Sequence, residues 1–260
     1  MVPIRVGSAA PAAAGKAASR GLDRYLPECV VLCGGLGTRL AGIAGPLPKA
    51  MVSVAGRPFL EWLIAGLRAE GVTRLVLATG YRAEPIRAHF GDGAGVGVQI
   101  RYSHETAPLG TGGALRQALA AVNGEHLLVV NGDTYTRIPV ADMLAMQLRN
   151  SAQATLLAVR APERGRYGGL EVSDDGRVIA FREKSTAGGE GWISAGAYLI
   201  ARSAVEKIPP DRPVSLETEL LPSLVGRGLF AVASGAPFID IGTPESYREA
   251  ASIVTMGAER

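Results

Sequence analysis

The chain of 260 residues holds only two cysteines, Cys29 and Cys33, with no second pair elsewhere. That spacing makes neither a zinc site nor a disulfide framework. Two reduced thiols fit a cytoplasmic compartment. No apolar run is long enough to span a bilayer, and no block of like charges stands out. The formal net charge is only +3, which gives no electrostatic footprint for nucleic acid or for a membrane surface, so neither is expected as a partner. Internal repeats at solenoid or propeller periods are absent, and Gly and Pro are spread so evenly that no linker is evident. The first residues, rich in Ala, Gly and Ser with Pro3 and Pro11, lack a continuous apolar signal-peptide core. Residues 1–26 are read as a flexible tail, with an amphipathic organelle-targeting segment as the alternative. Residues 27–260 are read as one domain.

What is present is an ordinary globular composition, 47% apolar and 20% charged. The apolar run 29–33 predicts a strand buried on both faces. A helix is expected over 59–70, opened by Pro58, with Leu60, Leu63, Ile64 and Leu67 on one face and Gly71 at its end. Buried strand 75–78, helix 84–90, strand 96–102, helix 111–122 and buried strand 126–130 follow. This alternation predicts a Rossmann-like, doubly wound α/β sheet with helices on both faces. Farther on, strands are expected at 154–159, 192–200 and 229–233. A hairpin is expected around Asp174-Asp175-Gly176, between 169–172 and 177–181. A closing helix over 243–254 has Thr243 as its cap. The sheet is therefore expected to be mixed, in a single domain.

In open α/β sheets ligands bind at the carboxyl ends of strands. The segment Gly34-Gly35-Leu36-Gly37-Thr38-Arg39-Leu40 lies at such an end. Its glycines allow N–H groups to approach an anion closely, Thr38 adds a hydroxyl donor, and Arg39 suits bridging of phosphates. A dinucleotide fingerprint would require glycine where Leu40 stands, and a P-loop would require Gly-Lys-Ser/Thr, so redox-cofactor binding is disfavoured. The plain alternative is a glycine-rich turn needed only for packing. Two carboxylates, Asp133 after the 126–130 strand and Asp240 after another apolar run, are candidates to hold Mg2+, which takes few protein carboxylates and completes its shell with phosphate oxygens and water. Each could instead be a turn or cap residue.

Gly34 to Leu40, followed by Pro48-Lys49-Ala50-Met51, resembles the signature of the sugar-1-phosphate nucleotidyltransferases. The resemblance covers roughly residues 29–254. It implies a GT-A-like nucleotidyltransferase fold and transfer of a nucleoside monophosphate from a nucleoside triphosphate onto a sugar 1-phosphate. Pyrophosphate leaves by in-line attack with Mg2+. It gives Arg39 and Lys49 catalytic roles and makes Asp133 and Asp240 the metal ligands. Leu32, Gly34, Gly35, Gly37, Thr38, Gly80, Pro108, Gly110, Thr111 and Gly112 then bind the nucleotide, the last four in the run Pro108-Leu109-Gly110-Thr111-Gly112-Gly113 at a helix start. Lys184, Ser194, Gly196 and Glu217 fall to the sugar phosphate, with Ser194 standing where Asn is usual. Capping is the plain alternative for Thr111 and for the Ser215-Leu216-Glu217 segment. Among subfamilies the motifs are most similar to D-glycero-D-manno-heptose 1-phosphate guanylyltransferase, then to mannose-1-phosphate guanylyltransferase, which favours GTP over UTP, dTTP or CTP. A homodimer is left open. The competing reading is a catalytically silent nucleotide-sensing relative, against which the retention of Arg39, Lys49, Asp133, Lys184 and Asp240 argues.

Overall fold

The alternation of side chains along strand β1 (Glu28–Leu32) divides the core in two. Cys29 and Val31 face one apolar cluster, with Leu60, Leu63, Ile64 and Leu67, while Val30 faces another, with Leu115 and Ala118. Period-two alternation on a strand that is buried on both sides requires helices on both faces, as the sequence predicts. The computed structural model describes residues 26–35, 40, 45–165, 167–182, 189–210 and 212–258. The tail assigned to residues 1–26 lies almost wholly outside them.

In chain order, β1 is followed by a 3-10 turn (Lys49–Met51), the short strands β2 (Ser53–Val54) and β3 (Arg57–Pro58), helix α1 (Phe59–Ala69), β4 (Arg74–Thr79), α2 (Glu84–Phe90), β5 (Gln99–His104), α3 (Gly110–Ala118), β6 (His126–Asn131) and β7 (Thr134–Tyr135). The second half adds α4 (Val140–Arg149), β8 (Ala154–Ala161), β9 (Gly169–Val172), β10 (Val178–Arg182), β11 (Gly191–Ala201) and α5 (Arg202–Val205). A π-helical turn (Leu216–Leu220), α6 (Leu221–Ser223), β12 (Leu229–Ser234), β13 (Ile239–Asp240) and α7 (Pro244–Ala258) complete it. The main sheet runs β10-β9-β11-β6-β1-β4-β5, with β8 paired to β11 and β12. Strands β6, β1, β4 and β5 are parallel, whereas β11 is antiparallel to β6, so the sheet is mixed.

The chain passes from β1 outward through β4 and β5, then returns to place β6 on the other side of β1. Strand order reverses at β1 and β6, and the crevice beyond their carboxyl ends is where such a fold receives a ligand. A third apolar cluster (Phe59, Trp62, Tyr135, Ile239, Ile241, Val254) packs α7 and the small β7–β13 sheet against α1. This cluster carries Asp240 to the same edge.

Several boundaries differ from the sequence reading. Val96 is not in strand: Ala94–Val96 form a 3-10 turn between Gly93 and Gly97, both left-handed, and β5 begins at Gln99. The helix expected to reach 122 ends at Ala118 and continues as a 3-10 turn, Leu119–Ala121. Helix α4 was not anticipated, although Val140, Met143 and Gln147 lie buried at helical spacing. The hairpin expected at 174–176 is present, with Gly176 left-handed and its N–H donated to Ser173 O.

Candidate active site

A cleft of about 1060 Å³ opens beyond the carboxyl ends of β1, β4 and β6. Leu32, Gly34, Gly35, Lys49, Gly80 and Asp133 line it on one side, and Pro108, Gly110 and Thr111 on another. Two glycines are needed for close approach here. A Cβ on Gly80 would stand 3.1 Å from Gly34 O, and one on Gly34 would stand 2.7 Å from Glu105 Oε1. A side chain at Gly80 would press on main chain beside the hydrogen bond from Cys33 N to Ala78 O, and one at Gly34 would displace the Glu105 carboxylate. Leu40, which breaks the dinucleotide fingerprint, is fully buried. Tyr81 is exposed at the mouth of the cleft rather than in the core.

Three charges from distant parts of the chain converge at one edge of this cleft. Lys49 Nζ lies 2.6 Å from Asp133 Oδ2 and 3.4 Å from Asp240 Oδ1. Local structure explains the placement. Pro48 presets the extended backbone that enters the 3-10 turn carrying Lys49, and Met51 N donates to Pro48 O. Asp133 follows β6 through Gly132, whose N–H donates to Leu32 O and where a Cβ would stand 2.8 Å from that oxygen. Asp240 pairs with Thr134 in the β7–β13 ladder, and Ile241 N donates to Asp133 O, so the two aspartates sit side by side in backbone as well as in charge. Lys49 is only 16% exposed, which sets it apart from a solvated surface lysine.

Two carboxylates within reach of one ammonium are hard oxygen donors, of the number Mg2+ takes from protein when phosphate oxygens and water complete its shell. Among the described residues there is no group of three or more His, Cys, Asp or Glu suited to a metal. The donor set therefore fits a cation shared with a phosphate better than a closed protein cage.

The helix start at α3 differs from expectation. Thr111 is not its cap: Leu109 stands there without a side-chain cap bond. The N–H groups of Gly112 and Gly113 are not free, since both donate to Val214 O, and a Cβ on Gly110 would stand 2.5 Å from the same oxygen. These glycines admit the segment beginning at Val214, which lies along the helix start. Thr111 Oγ1 donates to Glu217 Oε2 at 2.8 Å and accepts from Leu216 N at 2.8 Å. Ser215 caps the π-helical turn through Thr218 N.

Ser194, Gly196 and Glu217 lie outside the lining of this cleft but are joined to one another through Tyr198. Between Ser194 and Tyr198 the β11–β8 register shifts, and Gly196 in this bulge has φ of 72°. A Cβ there would stand 2.9 Å from both Asn131 Nδ2 and Thr134 Oγ1, so the bulge presses against the end of β6 beside Asp133. Gly37, Thr38, Arg39 and Lys184 lie outside the described residues.

Glu105 was missed in the sequence. Its Oε2 accepts from Leu109 N at 2.9 Å, and its carboxylate lines the cleft beside Gly34. Burial pushes its carboxyl above the usual carboxylate range, partly opposed by the Leu109 N–H and by His104. The available signal was a lone acid between a strand and the Pro108-Leu109-Gly110 turn.

The nucleotidyl transferase family profile matches residues 28–256. The chain belongs to the nucleotidyl transferase family. Within this family it is 35% identical over 224 residues to D-glycero-alpha-D-manno-heptose 1-phosphate guanylyltransferase of Aneurinibacillus thermoaerophilus, covering 86% of this chain and 96% of that protein. It is also 35% identical over 223 residues to mannose-1-phosphate guanylyltransferase of Mycobacterium tuberculosis, covering 85% of this chain but only 62% of that longer relative. Among solved structures, HddC from Yersinia pseudotuberculosis complexed with GMP-PN superposes with a TM-score of 0.76 at 33% identity, over 87% of this chain and 99% of that one. Family membership agrees with the resemblance seen in the glycine segment and at Lys49.

Proposed function

We propose that this nucleotidyl transferase moves GMP from GTP onto a sugar 1-phosphate and releases pyrophosphate. D-glycero-D-manno-heptose 1-phosphate is the favoured acceptor and mannose 1-phosphate the second. The observation that carries the reading is the convergence of Lys49, Asp133 and Asp240 beside a cleft large enough for a nucleotide, in a chain spanning 96% of a heptose 1-phosphate guanylyltransferase.

In this reading an oxygen of the sugar phosphate attacks the α-phosphorus in line. A new P–O bond forms as the bond to the bridging oxygen breaks, and both electrons leave with pyrophosphate. Both reactants are anionic, so positioning and charge stabilisation carry the catalysis. Lys49 places a compact cation on the α-phosphate. Arg39, with Gly37 and Thr38, grips the departing phosphates, as the resemblance implies, and Lys184 holds the sugar's phosphate. Asp133 and Asp240 would hold Mg2+, which supplies charge neutralisation at the transferring phosphoryl group when bound.

The base preference rests on Glu105. The Watson–Crick edge of guanine offers two adjacent donors, N1–H and the 2-amino group, and a carboxylate offers two acceptors. Uracil and thymine present a single N–H between carbonyls, which suits an amide better than an acid. Two buried free thiols favour a cytoplasmic setting. The test is a matrix of GTP, UTP, dTTP and CTP against heptose, mannose and glucose 1-phosphates, read by mass spectrometry of the nucleotide sugar. GDP-sugar formed from the first two acceptors is the expected product. A protein that makes only UDP- or dTDP-sugars, or none, overturns the reading.

A further inference from the structure

Three chains of hydrogen bonds, each starting at a backbone N–H (Gly196, Leu216 and Thr218), end on one carboxylate. Gly196 N donates to Ser194 Oγ at 3.3 Å, Ser194 Oγ donates to Tyr198 OH at 3.1 Å, and Tyr198 OH donates to Glu217 Oε1 at 3.4 Å. From the opposite side Leu216 N donates to Thr111 Oγ1, and Thr111 donates to Glu217 Oε2, both at 2.8 Å. Ser215 Oγ adds a third donor to Oε2 at 3.3 Å. Every bond points inward, so each polarises the next toward the acid. A carboxylate has about four acceptor sites. Two on Oε2 and one on Oε1 are filled, which leaves one on Oε1.

We infer that Thr111 and Tyr198 are positioning residues for the sugar 1-phosphate: their hydroxyls clamp Glu217 from two sides so that its last acceptor site is fixed for a sugar hydroxyl. This rests on the guanylyltransferase reading above. Thr111 lines the cleft, yet its one proton goes to Glu217 and it accepts from Leu216 N, so as a donor its hydroxyl is committed to the Glu217 side. Ser194 acts the same way. Its proton goes to Tyr198 and it accepts from Gly196 N, so it links the Gly196 bulge to Glu217 through Tyr198. The site of convergence is a π-helical turn, an irregular geometry frequent at functional sites. Tyr198 is fully buried, and burial with the neighbouring Glu217 charge holds its phenol well above the ordinary range, so it stays a donor.

The experiment compares Thr111→Val, Thr111→Ser and Tyr198→Phe with the parent protein. It measures KM for GTP and for mannose 1-phosphate and heptose 1-phosphate, calorimetric binding of GTP and of each sugar phosphate, and a melting curve. Loss of one oriented hydrogen bond to a charged group predicts about a tenfold rise in KM for the sugar phosphate in Thr111→Val and about fivefold in Tyr198→Phe. KM for GTP should change less than about twofold, and Thr111→Ser should behave as the parent. A rise in the GTP KM of Thr111→Val with an unchanged sugar-phosphate KM overturns the inference, as do unchanged values for both substrates in folded variants. If a variant's melting curve shows that it does not fold, Ser194→Ala takes its place with the same sugar-phosphate prediction, and an unchanged sugar-phosphate KM there overturns the clamp. Parent protein that turns over neither sugar phosphate with any triphosphate defeats the functional reading. Parent protein that turns over normally while the variants misbehave toward GTP defeats the clamp alone.

Discussion

At the carboxyl ends of β1, β4 and β6 the backbone builds the site, through Gly34, Gly80 and Gly132 packed against neighbouring main chain. Around Glu217 four hydroxyls build it, from Thr111, Tyr198, Ser194 and Ser215. The first region tolerates little sequence change at Gly80 and Gly132, where a single Cβ meets main-chain atoms. The second is built from side chains, so in the proposed reading it is where single hydroxyl changes act on the acceptor rather than on the backbone.

The sharpest break in that comparison is at the charges shared by both halves. Asp133→Ala and Lys49→Ala should each lower kcat for pyrophosphate release by roughly 10²–10³-fold, with a melting curve close to that of the parent. Retained turnover in either would separate the charge cluster from the chemistry. Next comes Gly196→Ala, which combines φ of 72° with a Cβ 2.9 Å from Asn131 and Thr134. It should lose about 1–3 kcal/mol of stability by chemical denaturation and weaken sugar-phosphate binding more than GTP binding. An alanine accepted without loss would show that the bulge is pliable. Glu105→Gln should lower the GTP-over-UTP preference by about tenfold, the scale of one mispaired base edge, measured as a ratio of kcat/KM values. A preference that is unchanged would remove Glu105 from base reading. The smallest effect is expected at the thiols. Burial pushes both Cys29 and Cys33 far above their ordinary range, with Cys33 a lesser cause at Cys29 and the Asp133 charge a lesser cause at Cys33. A thiol reagent should therefore label the native protein slowly and the denatured protein fully, and prompt native labelling would show that the first strand opens.

What was legible in the sequence follows the same divide. The apolar runs of β1, β4 and β6 are buried on both faces, so composition alone announced them and fixed which strand ends bear Gly34 and Asp133. Asp240 was legible as a candidate ligand after an apolar run, but Lys49 only through family resemblance, and the meeting of the two depends on a two-residue ladder and a third core cluster. The hydrogen-bond partners of Thr111 were hidden. A threonine after Pro-Leu-Gly reads as a cap or a nucleotide contact, and its partner lies 106 positions away. Helix α4 escaped because its stripe includes Gln147, a polar residue buried by bonding to Ala152 O and Thr155 Oγ1. The turn at Ala94–Val96 broke a strand pattern because Gly93 and Gly97 adopt left-handed backbone that periodicity does not register.

The central claim is that Lys49 and Asp133, 84 residues apart and 2.6 Å from contact to contact, act as one centre. A double-mutant cycle of Lys49→Met and Asp133→Asn on kcat/KM for pyrophosphate release tests it most directly. Groups acting as a unit give a double variant no slower than the worse single one, and that is the result predicted. Losses that multiply across the two substitutions would mean that the two side chains work independently.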